Sequence, residues 1–242
     1  MRLRLLVISL SFLLWPVALC GQNIYLLSVG VADYPDTVMD LRLPVQDAMA
    51  IYRLYRTNRQ ARAVLLADAK ATVQGITEAA ERLYANASED DIVVFFFSGH
   101  GVREGFVAQD GCLSYDEVRR IFRDCSARSK MIFADACYAG GIREESGSLE
   151  RRTMLKDSNV MLFLSCRSNE VSFEREDMKN GIFTTCLIRC LKGGADADRD
   201  RIITARELFD AVSRGVRTLS DDRQHPVMWG HFKDEMPVMV WK

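Results

Sequence analysis

The sequence is poor in the residues that mark specialised classes of protein. It has seven cysteines and five prolines in 242 residues, and its 32 basic side chains nearly balance its 33 acidic ones, for a net charge of −1. So few cysteines exclude a disulfide scaffold, and the lack of a basic excess argues against nucleic acid as a partner. There is no internal repeat, low-complexity block or linker rich in proline or serine. What remains is the composition of an ordinary globular domain, with 48% hydrophobic and 27% charged residues.

A long uncharged apolar run occurs only at the start of the chain. It covers residues 5–19, follows a short basic segment, and ends at Ala18-Leu19-Cys20, which resembles a signal-peptide cleavage site. The run is too short for a membrane-spanning helix. We therefore expect residues 1–20 to be a cleaved signal peptide and residues 21–242 to be a single exported domain, without an integral membrane span. A lipid anchor on Cys20 is the alternative, but leucine precedes it where such motifs prefer a small residue.

Apolar runs that resemble buried strands alternate with segments of helical spacing along the rest of the chain. Runs that are apolar throughout predict strands covered on both faces, whereas apolar residues three and four positions apart predict amphipathic helices. Their alternation indicates an α/β fold, in which a mainly parallel central sheet has helices on both faces. The runs that predict strands are 24–31, 63–66, 92–97, 131–134, 160–164 and 237–240.

Two of these predicted strands lead into short motifs that contain a reactive side chain. The strand at 92–97 is followed by Ser98-Gly-His100-Gly101, and the strand at 131–134 is followed by Asp135-Ala-Cys137. If the two strands are neighbours, His100 and Cys137 emerge at the same edge of the sheet, where ligands bind in such folds. A thiol within reach of an imidazole is a minimal covalent catalyst. The backbone N–H groups of Gly101 and Cys137 would then form an oxyanion hole.

The same residues also have plainer interpretations. A cysteine after a strand is most often a small buried hydrophobe, and a histidine between glycines can simply shape a turn. The combination decides between the interpretations, because each residue follows an apolar strand and each has glycine nearby. We therefore predict catalysis by the pair rather than two unrelated structural residues.

The two motifs resemble the catalytic motifs of caspase-like cysteine peptidases, specifically the metacaspase branch. The segments 43–48, 164–174 and 181–184 resemble further segments of that family. The resemblance implies a caspase-like three-layer sandwich, with His100 as general base or acid and Cys137 as nucleophile. The interval between these two residues is shorter than in caspases, and it leaves room for only a short hairpin at 106–111.

The resemblance also assigns Asp47, Ser98 and Asp135 to the S1 pocket. Two carboxylates in a narrow pocket favour a basic P1 side chain, so the expected substrates are peptides or proteins cut after Arg or Lys, and not after Asp. Other interpretations stay open, since Asp135 could cap a helix and Asp47 could be an ordinary acid of a first helical turn.

The segment after the nucleophile contains candidate sites for self-processing. Caspase-like enzymes are often processed there, and a peptidase selective for basic residues would cut at Arg143, Arg151 or Arg152. A catalytically weak binding or scaffold module of the same fold is the alternative function. The intact pair of histidine and cysteine argues against that alternative.

One further pattern, over residues 196–207, resembles the calcium-binding loop of an EF-hand. Arg201 stands where an EF-hand loop needs glycine, and Thr204 with Glu207 also matches a helix capping box. The chemistry itself requires no cofactor, so calcium would serve as an activator, and a calcium-dependent interaction domain is a third interpretation. The acidic positions of the EF-hand pattern are filled by Asp196, Asp198, Asp200 and Glu207.

Overall fold

The structure, a computed structural model, describes residues 22–102, 104–136, 160–167 and 177–241. The strands are β1 (Ile24–Gly30), β2 (Ala61–Ala67), β3 (Ile92–Gly99), β4 (Gly101–Val102), β5 (Gly105–Ala108), β6 (Gly111–Ser114), β7 (Ser129–Ala136), β8 (Val160–Leu164), β9 (Ile202–Thr204), β10 (Val227–Gly230) and β11 (Pro237–Val240). The helices are α1 (Pro44–Arg56), α2 (Val73–Tyr84), α3 (Tyr115–Arg123), α4 (Ile182–Arg189) and α5 (Ala205–Leu219), and a π-helical turn over Cys190–Gly194 follows α4.

Six of the described strands form the central sheet. Their order is β10-β8-β7-β3-β1-β2, and every neighbouring pair is parallel except β10 with β8. The strands β1, β3, β7 and β8 are buried over their whole length apart from Ser129 at the start of β7, which agrees with their continuous apolar sequences. Their carboxyl ends therefore meet at one edge of the sheet.

Helices cover both faces of this sheet. In β3, Val93, Phe95 and Phe97 belong to the core that contains the apolar faces of α2 and α3. The intervening side chains of the same strand belong to the opposite core, which α1, α4 and α5 complete. This alternation follows from the two-residue period of a strand. The predicted three-layer α/β architecture is confirmed.

Several helices begin where the sequence predicts a cap. The hydroxyl of Thr72 accepts from the backbone N–H of Gly75 at the start of α2. Full capping boxes open α3, with Ser114 and Glu117, and α5, with Thr204 and Glu207. A hydroxyl that accepts from an otherwise unpaired first-turn amide stabilises the helix start.

The structure differs from the sequence prediction in its short strands. The interval after β3 contains the antiparallel sheet β4-β5-β6, which is larger than the expected hairpin at 106–111. The segment Val227–Gly230 is not among the predicted strands, but it pairs with β8 as the edge strand β10. Within the described ranges, no helix combines the length and apolar character that a bilayer crossing requires.

Candidate active site

The structure brings together the two strands that precede the predicted catalytic residues, at the carboxyl edge of the sheet. The strands β3 and β7 pair in parallel, and Gly99 lies opposite Ala136 at the end of the ladder. The next residues in the two strands' sequences are His100 and Cys137. Cys137 and the three candidate processing arginines, Arg143, Arg151 and Arg152, lie outside the described residues.

The ring of His100 is held by the segment that follows β1. Its Nε2 lies 2.7 Å from the carbonyl oxygen of Met39, which belongs to a short 3-10 turn over Thr37–Met39. A carbonyl oxygen can only accept a hydrogen bond, so Nε2 carries the proton. In the neutral ring, Nδ1 is then the atom that can take a proton from a thiol.

The backbone of His100 is fixed as well. Its N–H donates to the hydroxyl of Tyr34 at 2.9 Å. The preceding residue, Gly99, has φ +154°, and a Cβ there would lie 2.8 Å from that hydroxyl, so only glycine fits. Burial raises the pKa of Tyr34 to about 12, which keeps its hydroxyl protonated. Gly101, the proposed oxyanion donor, is buried at the start of β4.

Two buried carboxylates lie close to Gly181, beside this edge of the sheet. Asp47 is 2% exposed and Asp135 is 7% exposed. A Cβ added to Gly181 would lie 2.5 Å from Oδ2 of Asp135 and 3.2 Å from Oδ2 of Asp47. Oδ2 of each acid therefore lies beside Gly181, and a side chain at this position would clash with Asp135.

The hydrogen bonds of the Asp47 side chain leave its own helix. Oδ1 accepts from Nδ2 of Asn180 at 2.9 Å and from the N–H of Gly181 at 3.0 Å, while Oδ2 accepts from the hydroxyl of Ser98 at 3.0 Å. Although Asp47 lies in the first turn of α1, these partners belong to β3 and to the segment before α4. The interpretation of Asp47 as an ordinary first-turn acid therefore does not account for its contacts.

Asp135 contacts the first turn of α4. Its Oδ2 accepts from the hydroxyl of Thr184 at 2.8 Å and from the N–H of Thr184 at 3.2 Å. The amide ends of a helix stabilise an adjacent negative charge. Asp135 thus binds the start of α4, a helix that is distant from it in sequence. The alternative interpretation of Asp135, as a helix cap, would instead involve the residues that directly follow its own strand.

The two acids influence each other's ionisation. Burial raises the pKa of Asp47 well above its usual range, and the charge of Asp135 raises it further. The hydrogen bonds from Asn180, Gly181 and Ser98 lower it in part. A positive charge close to both carboxylates would relieve this repulsion and favour the ionised acids.

Asn180, Gly181 and Thr184 bind the two acids, although the sequence does not predict a role for them. The resemblance included Gly181–Thr184 but gave these residues no role. A glycine just before a predicted helix and a threonine in its first turn also have ordinary structural explanations. Nothing in the sequence links these residues to the two acids, since Asp47 precedes Asn180 by 133 positions.

The structure gathers three of the four candidate calcium ligands. Carboxylate oxygens of Asp196, Asp198 and Glu207 all lie within 4.8 Å of one another. Asp200 does not belong to this group, and its Oδ1 accepts from the N–H of Ile202 at 2.7 Å. Arg201 adopts φ +70°, so the loop makes the left-handed turn without the glycine that the pattern lacks.

These carboxylates have the chemistry of a site for a hard cation. Calcium takes oxygen ligands from carboxylates, and Oδ1 of Asp196 is buried without a hydrogen-bond partner in the described part of the chain. Glu207 has a structural task as well, because its Oε2 accepts from the N–H and hydroxyl of Thr204 in the capping box. The residues therefore fit calcium, and they also fit a loop that stabilises itself.

The comparisons with known proteins agree with this fold. A family model for the caspase domain matches residues 25–237. No curated protein matches the chain. Among solved structures, protein GSU0716 of Geobacter sulfurreducens is similar with a TM-score of 0.68, at 19% identity over 91% of this chain and 100% of that chain. Caspase-1 of Spodoptera frugiperda also gives a TM-score of 0.68, at 15% identity over 90% of this chain and 89% of that chain.

The two kinds of comparison carry different weight. At these identities the solved structures show the fold alone, and they confirm that it is caspase-like. The family model extends over nearly the whole described chain, from β1 to the start of β11. The chain belongs to the caspase-domain family of cysteine peptidases.

Proposed function

We propose that the protein is a cysteine endopeptidase that cleaves peptide bonds after Arg or Lys through His100 and Cys137. The observation that carries the specificity is the pair of buried carboxylates, Asp47 and Asp135, whose Oδ2 atoms both lie beside Gly181. Asp135 lies near the end of β7 and Asp47 accepts from Ser98 near the end of β3, and these are the strands that Cys137 and His100 follow in sequence. The family membership supports peptide or protein substrates.

The proposed reaction passes through a thioester. Nδ1 of His100 takes the thiol proton of Cys137, and Sγ attacks the carbonyl carbon of the scissile bond. Backbone N–H groups of Gly101 and Cys137 stabilise the resulting oxyanion. Collapse breaks the C–N bond as His100 gives its proton to the leaving amine. A water molecule that His100 deprotonates then hydrolyses the thioester and restores the thiol.

The acid pocket would select the P1 side chain by charge. A guanidinium or ammonium group between Asp47 and Asp135 forms charge-assisted hydrogen bonds with oxygens that are already oriented by neighbouring donors. A P1 aspartate would add a third negative charge to a buried pair. We therefore expect cleavage after basic residues and none after Asp.

Peptide hydrolysis tests this proposal directly. The protein from residue 21 is assayed on fluorogenic peptides that end in Arg, Lys or Asp, with and without calcium. Cys137→Ala and His100→Ala should abolish turnover, whereas Cys112→Ala, which alters a cysteine exposed at the surface, should retain it. Equal activity in Cys137→Ala, or none in the unaltered protein, would overturn the peptidase in favour of a binding module. Preference for Asp would overturn only the pocket assignment.

We also propose that Asp196, Asp198 and Glu207 bind calcium, as a property separate from the chemistry. The support is the convergence of their oxygens and the buried, unpartnered Oδ1 of Asp196 in the described region. A bound ion would hold the loop before β9 and α5 together, and no step of hydrolysis involves it. Calorimetry with calcium should show binding that Asp196→Asn abolishes and Asp210→Asn, an exposed-face control on α5, retains. Equal binding in both variants would contradict the assignment.

A further inference from the structure

The segment between β1 and α1 contacts His100 at two places. The hydroxyl of Tyr34 accepts from the His100 backbone N–H at 2.9 Å, and the carbonyl of Met39 accepts from the ring Nε2 at 2.7 Å. The rings of Tyr34 and His100 also lie against each other, with centroids 5.0 Å apart. One segment therefore fixes both the main chain and the imidazole of the proposed base.

Asp40 closes this segment on itself. Its Oδ1 accepts from the backbone N–H of Tyr34 at 2.9 Å, and Asp40 directly follows Met39 in the chain. The N–H of Leu41 donates to the carbonyl of Ala32 at 2.9 Å, which ties the two ends of the segment together. The position of the Met39 carbonyl thus depends on the bond between Tyr34 and Asp40.

We propose that Tyr34 and Asp40 are positioning residues that hold the Met39 carbonyl against His100 and so keep the ring proton on Nε2. The inference rests on the proposed function, because it concerns the residue assigned as the base. Tyr34 acts through its hydroxyl on the backbone of His100. Asp40 acts through its carboxylate on the turn that carries the carbonyl.

The consequence for catalysis follows from the tautomer. A neutral imidazole carries one proton, and only a ring protonated at Nε2 has Nδ1 available to accept the thiol proton. If the turn moves away, the ring loses the bond that fixes its tautomer and its rotation. Substrate binding would be unaffected, since Tyr34 and Asp40 contact neither Asp47 nor Asp135 through any described hydrogen bond.

The ring proton itself gives a test that does not need peptidase activity. Proton NMR of protein labelled with 15N-histidine should show a protected Nε2–H signal, assigned by its loss in His100→Ala, and the chain has only three histidines. Tyr34→Phe and Asp40→Ala should lose this signal through exchange with water. Asp40→Asn keeps an oxygen that can accept from Tyr34 and should restore it.

Kinetics give the second readout. Tyr34→Phe and Asp40→Ala should lower kcat on an Arg-ending peptide about tenfold, part of what a positioned base contributes, and leave KM within about twofold. Asp40→Asn should recover most of the loss. Tyr25→Phe is the matched control, because it removes another buried tyrosine hydroxyl that donates to a backbone carbonyl, that of Asn86.

Two results would overturn the proposal. One is a protected Nε2–H and an unchanged kcat in both Tyr34→Phe and Asp40→Ala. The other is an equal loss of the signal in Tyr25→Phe, which would show a general effect of removing a buried hydroxyl. If the unaltered protein cleaves no peptide, the proposed function fails, while the NMR comparison still decides whether Tyr34 and Asp40 position His100.

Discussion

Asp47 is a residue whose expected role in substrate binding opposes its contribution to stability. Its pKa is raised by burial and by Asp135, so the folded state prefers the protonated acid. A group of this kind contributes stability that is present below the unfolded pKa of about 3.9 and is lost as pH rises through the higher folded value. The ionised form that binds a cation is therefore the form that weakens the fold.

We predict that Asp47→Asn is more stable than the unaltered protein at pH 8 and equally stable at pH 4. Asparagine keeps an oxygen for Asn180 and Gly181 and removes the buried charge, and every tenfold change in an acid dissociation constant on folding corresponds to about 1.4 kcal/mol. Urea unfolding at the two pH values measures the difference. Turnover of Arg-ending peptides should fall in the same variant.

Asp91 is a control because its pKa is shifted in the opposite direction. Its carboxylate accepts from the backbone N–H groups of Asn23 and Ser88, both at 2.8 Å, and these bonds hold its pKa below the usual value. Its stabilising effect is present above the unfolded pKa and is lost as pH falls through the lower folded value. Asp91→Asn should therefore reduce stability at pH 8. The interpretation of Asp47 fails if both variants change stability in the same direction.

A substitution of Gly181 tests the proposed P1 pocket through side-chain volume instead of charge. We predict that Gly181→Ala abolishes cleavage after Arg and lowers stability, since the new Cβ would lie 2.5 Å from Oδ2 of Asp135. Gly111→Ala is the matched control, because a Cβ there meets no atom within 4 Å. Kinetics on Arg-ending peptides and thermal unfolding of both variants check the prediction. Normal turnover in Gly181→Ala would mean that the P1 side chain binds elsewhere.

At the scale of elements, two helices depend on the same kind of start. Ser114 and Thr204 each accept from the N–H of the glutamate three residues later, and each glutamate bonds back to the cap residue. We predict that Ser114→Ala and Thr204→Ala each lower the free energy of unfolding by about 1 kcal/mol. Ser213→Ala should change it little, since that hydroxyl has no partner within the described structure. Denaturant unfolding that shows equal effects at all three serine and threonine positions would contradict the capping argument.

The long elements could be predicted from sequence because their signals are local. A strand buried on both faces, such as Ile92–Gly99, is apolar almost throughout, and a cap such as Thr72 precedes its helix directly. The strand Val227–Gly230 gave no such signal, because it is short, only half buried and next to Pro226. Its place is set by pairing with Val160–Leu164, more than 60 residues away.

The residues of the candidate site also divide into those that could be predicted from sequence and those that could not. The motifs at His100 and Cys137 could be recognised because each contains a reactive residue next to its strand. Asn180 and Thr184 could not, since nothing in their neighbours indicates that they face two acids from other elements. Tyr34 and Asp40 gave no signal either, because their relation to His100 arises from the way one segment folds back on itself.

At the scale of the whole molecule, the parallel strands β7 and β8 lie on either side, in sequence, of the segment that contains the candidate processing sites. Lys130–Ala134 pairs with Val160–Leu164, so a cut anywhere in residues 137–159 leaves the two sides joined by the ladder and both cores. We predict that self-cleavage at Arg143, Arg151 or Arg152 gives two bands on a denaturing gel and one species in native mass spectrometry. Cys137→Ala should remain uncut. Fragments that separate would show that the ladder does not hold the pieces.

Export is the other prediction for the whole chain. If residues 1–20 are a cleaved signal peptide, the mature protein from a secreting host should begin at Gly21, as N-terminal sequencing would show. A start at Cys20 with an added lipid mass would support the anchor instead. An unprocessed start at Met1 would contradict both.

The distance in sequence between Asp47 and its partners has a consequence for the timing of synthesis. The acid precedes Asn180 and Gly181 by 133 and 134 positions, and Thr184 must also be present to hold Asp135. A growing polypeptide therefore cannot bring these groups together until residue 184 has left the ribosome, and a product that ends before this residue never does so. If the two acids bind a basic side chain as proposed, the ability to recognise it arises late in synthesis, because of the order in which the chain is made.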